Sequence, residues 1–199
     1  MLNRRHFLAS GLAAGSFGFA PAYAHRAGAK YALPEKYMPR EVAMHSNFGP
    51  GEIHVFPEQY ALYWTLPYGK AIRYAVGIGR KNLYHSGEFF VGAKKEWPSW
   101  TPTPDMIHRQ PEKYEQFAGG MPGGISNPLG ARALYLFTPE RGDTFLRIHG
   151  TNDPRTIGVA VSNGCARLVN DQVTEFYERV PIGTKVVLYE KPGDSDVHS

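Results

Sequence analysis

Residues 53–56, 60–66 and 72–78 are rich in Val, Ile, Leu, Tyr and Trp, and Pro57-Glu58-Gln59 and Pro67-Tyr68-Gly69 separate them. Proline presets φ and glycine supplies left-handed turn geometry, so each break reverses the chain within a few residues. Strands joined this tightly pair antiparallel. The pattern therefore predicts a meander. Strand character resumes at 133–137 and 144–148, and 185–189 closes the chain's β content. One helix is predicted after Asn170, which suits an N-cap. Val173, Phe176, Tyr177 and Val180 fall on one face, and Pro181 and Gly183 stop it. Between Lys94 and Gly130 the periodicity fails, and Trp97 and Trp100 argue for an ordered lid loop. The expected fold is mostly β, a sandwich of antiparallel strands with one or two short helices and a long lid.

A chain of 199 residues suffices for one domain with a real core. Residues 1–24 are set apart from it. Arg4-Arg5 precede a Gly/Ala-rich apolar stretch and Ala22-Tyr23-Ala24, a small-x-small cleavage pattern. This segment resembles a twin-arginine export signal, which implies a periplasmic protein. Residues 25–51 read as an extended lead-in, 52–190 as the folded domain and 191–199 as a polar tail. Loss of Arg4 and Arg5 lowers the net charge from +4 to +2. No basic stripe argues for nucleic acid, and no second apolar run argues for a membrane span.

Export makes the cysteine count informative. Exported proteins use cysteines in pairs, and this chain has one, Cys165. A lone thiol in an oxidising compartment is either buried or employed. A strand ends in His149, and a second ends at the Ser162-Asn163-Gly164 turn just before Cys165. Two strand ends meeting at one edge bring an imidazole to a thiol, the arrangement for nucleophilic cysteine chemistry, with a thiolate reactive at pH 6 to 7. The Gly164 turn leaves N–H groups to face an oxyanion, and Arg167 either binds a substrate carboxylate or holds the loop. The same residues also read as a hairpin turning at Asn163-Gly164, with Cys165 as a small buried hydrophobe and His149 as a structural residue. Spacing leaves both readings open.

The wider pattern resembles the L,D-transpeptidases of the YkuD or ErfK/YbiS family. It rests on His149-Gly150, Ile157-Gly158 and Ser162-Asn163-Gly164-Cys165-Ala166-Arg167, with Val76-Gly77-Ile78-Gly79-Arg80 and Asn127-Pro128-Leu129-Gly130 upstream. The likeness runs from about Glu52 to Glu190. It implies Cys165 as acyl-enzyme nucleophile, His149 as base and acid, and the Gly150 carbonyl as the group orienting the imidazole. It implies an oxyanion hole of amides near Gly164 and Cys165, with Ser162 and Arg167 on the substrate side. Many members carry His or Ser where Asn163 stands, so a side-chain role there is unsettled. Trp97 and Trp100 either pack on a stem peptide or anchor the lid. The implied reaction attacks the meso-diaminopimelate–D-Ala bond of a peptidoglycan tetrapeptide stem. The acyl group passes to an amine of another stem, of an outer-membrane lipoprotein or of an outer-membrane protein. A hydrolase using the same dyad and a non-catalytic wall-binding module are the alternatives. Carbapenem-type inhibitors are expected to acylate Cys165. No cofactor is implied, and the scattered histidines have no metal-ligand spacing.

Overall fold

The computed structural model describes residues 31–45 and 47–191. The expected export signal, the start of the lead-in and nearly all of the polar tail lie outside these residues. The strands are β1 Arg40–Ala43, β2 Ile53–Phe56, β3 Ala61–Leu66, β4 Lys70–Ala75, β5 Ile78–Gly79, β6 Gly87–Glu96, β7 Arg132–Thr138, β8 Gly142–His149, β9 Ala160–Ser162, β10 Ala166–Arg167 and β11 Lys185–Leu188. The helices are α1 Pro104–Arg109, α2 Pro111–Tyr114 and α3 Asn170–Arg179.

Nine strands form one sheet in the order β1-β4-β3-β2-β11-β6-β7-β8-β10, and β5 with β9 makes a small second ribbon. The meander β2-β3-β4 is antiparallel, as its turns require. The sheet is not wholly antiparallel, however. β11 runs parallel to β2, β10 to β8 and β9 to β5. Each of these pairs joins strands far apart in sequence, where no tight turn dictates direction. β6, ten residues long, is a strand that the sequence reading does not name.

Alternation builds the core. Ile53 and Val55 in β2, Leu134 and Leu136 in β7, and Ile148 in β8 are buried, together with Val173, Phe176 and Val180 from one face of α3. The Phe176 ring meets Tyr74 edge-on at 5.1 Å and Trp64 at 6.3 Å. Burying such a side chain contributes roughly 2–3 kcal/mol. Lys94 closes the end of α3, its Nζ donating to the carbonyls of Tyr177 and Val180 at 2.5 and 2.7 Å. On the other face of β2, buried His54 stands between Glu52 and Tyr189, at 3.0 and 3.1 Å, under Phe48.

Three local expectations are corrected. The stretch 94–130 is more than a lid loop, because Thr103 caps α1 through Met106 N–H, Pro104 and Pro111 open α1 and α2, and a 3-10 turn follows at Glu115–Phe117. Asn170 does not cap α3. Val169 holds that position, and Asn170 Oδ1 accepts from Ala131 N–H at 2.9 Å. The Asn163-Gly164 hairpin does not form either, since β9 and β10 pair with different strands and not with each other.

The Asn170 bond sets up a stability test. Gly130 has φ +65, and a Cβ there falls on Asn170 Oδ1, Thr151 N and the Gly150 carbonyl carbon. Gly142 has φ +73 with open space around it. Gly142→Ala carries the left-handed cost alone, about 1 kcal/mol. Gly130→Ala adds crowding against backbone, so a loss of about 2–4 kcal/mol and a Tm lower by roughly 5–12 °C are expected by thermal melting. Equal shifts in the two variants would show that the packing around Gly130 gives way without cost.

Candidate active site

β8 and β10 carry the site. They pair parallel with Ile148 opposite Ala166 and His149 opposite Arg167. Ile148 and Ala166 point into the core, so the alternate residues Arg147, His149, Cys165 and Arg167 share the opposite face. All four line one large cavity of about 1330 Å³. Cys165 sits just before β10, half-buried and unbridged. The thiol and the imidazole are thus neighbours on one sheet face, placed there by strand register and not by a hairpin.

The turn before Cys165 is closed by its own serine. Ser162 Oγ donates to the Cys165 carbonyl at 2.7 Å and accepts from Gly164 N–H at 3.2 Å. Gly164 has φ +121, and a Cβ there meets the Leu83 carbonyl oxygen at 2.8 Å, so only glycine fits. Two expectations change as a result. Ser162, expected on the substrate side, lines the cavity but is largely buried, with its hydroxyl bonded within the turn. The Gly164 N–H is likewise committed, which leaves the Cys165 N–H as the amide at this turn that can face an oxyanion.

His149 is buried, and its Nδ1–H donates to the Gly150 carbonyl at 2.6 Å. That bond fixes the tautomer and leaves the Nε2 lone pair to accept a proton. Burial, and after it the Arg167 charge, push the imidazole pKa down to about 3 against the pull of the Gly150 carbonyl. Burial also pushes the Cys165 thiol above its ordinary range, and the Arg147 N–H with the charges of Arg147 and Arg167 offsets only part of this. Both shifts favour a neutral thiol beside a neutral imidazole. Burial thus works against the thiolate at pH 6 to 7 that the sequence led us to expect. The structure shows no hydrogen bond between Sγ and the ring.

Asn163 acquires a role that its departure from the family pattern left unsettled. Its Oδ1 accepts from Arg80 Nη2 at 3.1 Å, and its Nδ2 donates to the Tyr114 hydroxyl at 3.1 Å. It ties the nucleophile turn to α2 of the lid. Trp100 lines the cavity and also anchors the lid, exchanging backbone hydrogen bonds with Met121 and packing on Tyr114 and Phe117. Trp97 does not line the cavity. Its positive φ of 40° and its N–H bond to the Ala131 carbonyl turn the chain out of β6, and its ring is half exposed elsewhere. The Arg167 side chain lines the cavity with Nε and Nη2 buried and without a protein acceptor.

Arg147 was invisible to motif reading. One residue of β7, Leu136, faces three of β8, because the register jumps from Tyr135–Arg147 to Phe137–Asp143. Phe145 sits in this bulge at φ +63, its N–H held by Asp143 Oδ1 at 2.9 Å. The same carboxylate takes Arg147 through two bonds of 2.6 and 2.8 Å, and the guanidinium stacks 3.9 Å from the Tyr135 ring. The charge beside the thiol is thereby clamped. The sequence signal was present, as Asp143 and Arg147 stand four apart, but in a strand that spacing implies no contact without the bulge.

A model of the YkuD family, the L,D-transpeptidase catalytic domain, matches residues 50–188. The Probable L,D-transpeptidase YbiS of Escherichia coli (strain K12) is 31% identical over 157 residues, covering 78% of this chain and 49% of that protein. The chain spans less than half the length of the curated relatives it matches first. Among solved structures, the Probable carnitine operon oxidoreductase caia from Brucella melitensis is 43% identical, with a TM-score of 0.54, covering 79% of this chain and 96% of that one. Its oxidoreductase name belongs to that protein. L,D-transpeptidase 3 from Mycobacterium tuberculosis, in complex with a faropenem-derived adduct, has a TM-score of 0.50 at 17% identity, covering 71% of this chain and 61% of that one. At that identity it bears on the fold alone.

Proposed function

Because the chain belongs to the YkuD family of L,D-transpeptidase catalytic domains, we propose that it is a cysteine acyltransferase acting on peptidoglycan tetrapeptide stems. The observation that carries this reading is the placement of Cys165 and tautomer-fixed His149 on one sheet face, lining one cavity.

In the reaction, the carbonyl carbon at the L-centre of meso-diaminopimelate approaches Sγ. His149 Nε2 takes the thiol proton as the C–S bond forms, and the Cys165 N–H faces the developing oxyanion. The C–N bond to D-Ala breaks, and the imidazolium returns the proton to the departing amine. A second amine then attacks the thioester, loses its proton to His149, and frees the thiol. The energy of the broken peptide bond is kept in the thioester, so no activated cofactor is called for. The unpartnered Nε and Nη2 of Arg167 support a role in holding a stem carboxylate near Sγ. The acceptor is another stem, giving a 3→3 cross-link, or a lipoprotein or outer-membrane protein tethered to the wall. The Arg4-Arg5 pattern supports export by the twin-arginine route to the periplasm.

Incubation of purified protein with disaccharide-tetrapeptide, followed by mass spectrometry, tests the proposal. Dimers with loss of D-Ala are expected. Tripeptide alone would make water the acceptor and the protein a hydrolase with the same dyad. Unchanged tetrapeptide, together with no carbapenem adduct on Cys165, would leave the non-catalytic alternative standing.

A further inference from the structure

Charge around Cys165 is lopsided. Five cations, Arg109, Lys113, Arg141, Arg147 and Arg167, line the cavity against one carboxylate, Asp105. Arg147 is matched by Asp143. Among the described residues the other four make no ion pair, with Asp143 near Arg141 and Asp153 near Arg167 interacting only at longer range. Lys113 lies over the Tyr114 ring at 5.0 Å, and Arg167 keeps two buried N–H groups without an acceptor. These charges come from four separate elements: Arg109 from α1, Lys113 from α2, Arg141 from the β7–β8 turn, and Arg167 from β10 beside the nucleophile. A concave wall lined by one sign of charge concentrates the field and gathers anions of opposite sign. One arginine would serve one carboxylate. Four cations outside any ion pair, on four elements, suit a ligand with several.

We infer that the acyl donor is recognised as a polyanion, a stem whose side carboxyls are free, in preference to the same stem with those carboxyls amidated. This rests on reading the cavity as the seat of a tetrapeptide stem. Such a stem carries its terminal carboxylate, the second carboxyl of diaminopimelate and the α-carboxyl of a γ-linked glutamate. Amidation of the last two removes charge while nearly preserving shape. The discrimination is then electrostatic, weakens with salt, and falls mainly on KM.

The test compares D-Ala release from two synthetic tetrapeptide stems, one with free side carboxyls and one with both amidated. At low ionic strength the free-carboxyl stem is expected to have a kcat/KM about tenfold or more above the amidated one, and at about 0.5 M salt the ratio should shrink to a few-fold. Arg109→Gln combined with Arg141→Gln, two exposed positions, should narrow the low-salt ratio several-fold. A ratio near one at low salt overturns the inference and leaves the proposed function intact. So does a ratio that neither salt nor the double variant changes, since the selectivity would then come from shape. Release of D-Ala from neither stem would overturn the proposed function and this inference with it.

Discussion

Cys165→Ala yields a folded protein that releases no measurable D-Ala. The sulfur forms and breaks every covalent bond in the proposed cycle, and no neighbouring hydroxyl replaces it, because Ser162 is locked into the turn. A loss of at least about 10⁴-fold in kcat/KM is expected, as for other enzymes stripped of their nucleophile. The side chain is small and half-buried, so stability should move by no more than about 1 kcal/mol. Intact mass after carbapenem treatment should show an adduct on the wild type and none on the variant. In the wild type, iodoacetamide labelling should keep rising with pH through and beyond the range of a free cysteine, because burial holds the thiol proton on. A labelling rate already level at pH 6 to 7 would mean a preformed thiolate–imidazolium pair and would sink this account of the resting state.

His149→Asn is the second large effect, and it has two readouts. Asparagine retains a donor for the Gly150 carbonyl but has no lone pair to take the thiol proton. Loss of the base should cost about 10²–10⁴-fold in kcat. The other readout is stability against pH. In the folded protein the imidazole has a pKa of about 3, far below its ordinary 6.5. Below pH 6.5 the unfolded chain takes up a proton that the folded chain refuses until about pH 3. Stability held above pH 6.5 is therefore lost progressively as pH falls through that window, by on the order of 3–5 kcal/mol at its foot. The variant should lose that slope between pH 6.5 and 3. Denaturant titrations at several pH values decide it, and parallel slopes in wild type and variant would mean that His149 titrates normally.

Local pattern made much of the fold legible. The runs that became β2, β3 and β4 carried their own turns, so direction and pairing followed from residues a few places apart. The α3 face did likewise through Val173, Phe176 and Val180. β6 was missed although Phe89-Phe90-Val91 are strand residues, because its partners β7 and β11 lie far along the chain. Trp97 and Trp100 look alike in sequence, and only the turn out of β6 sends one away from the cavity and keeps the other in its wall.

By itself, then, the sequence determined the chemistry's participants: a lone thiol, a histidine-glycine at a strand end, and a glycine turn between them. These depend on residue type and short spacing, which a linear chain carries. The tertiary structure decided how those participants work. Through burial it raised the Cys165 thiol pKa and lowered that of His149. It spent Ser162 and the Gly164 amide on the turn, clamped Arg147 beside the sulfur through a bulge, and gathered unmatched cations from α1, α2, β10 and the β7–β8 turn around one cavity. Desolvation and electric field act through space, so they exist only once distant segments share a wall.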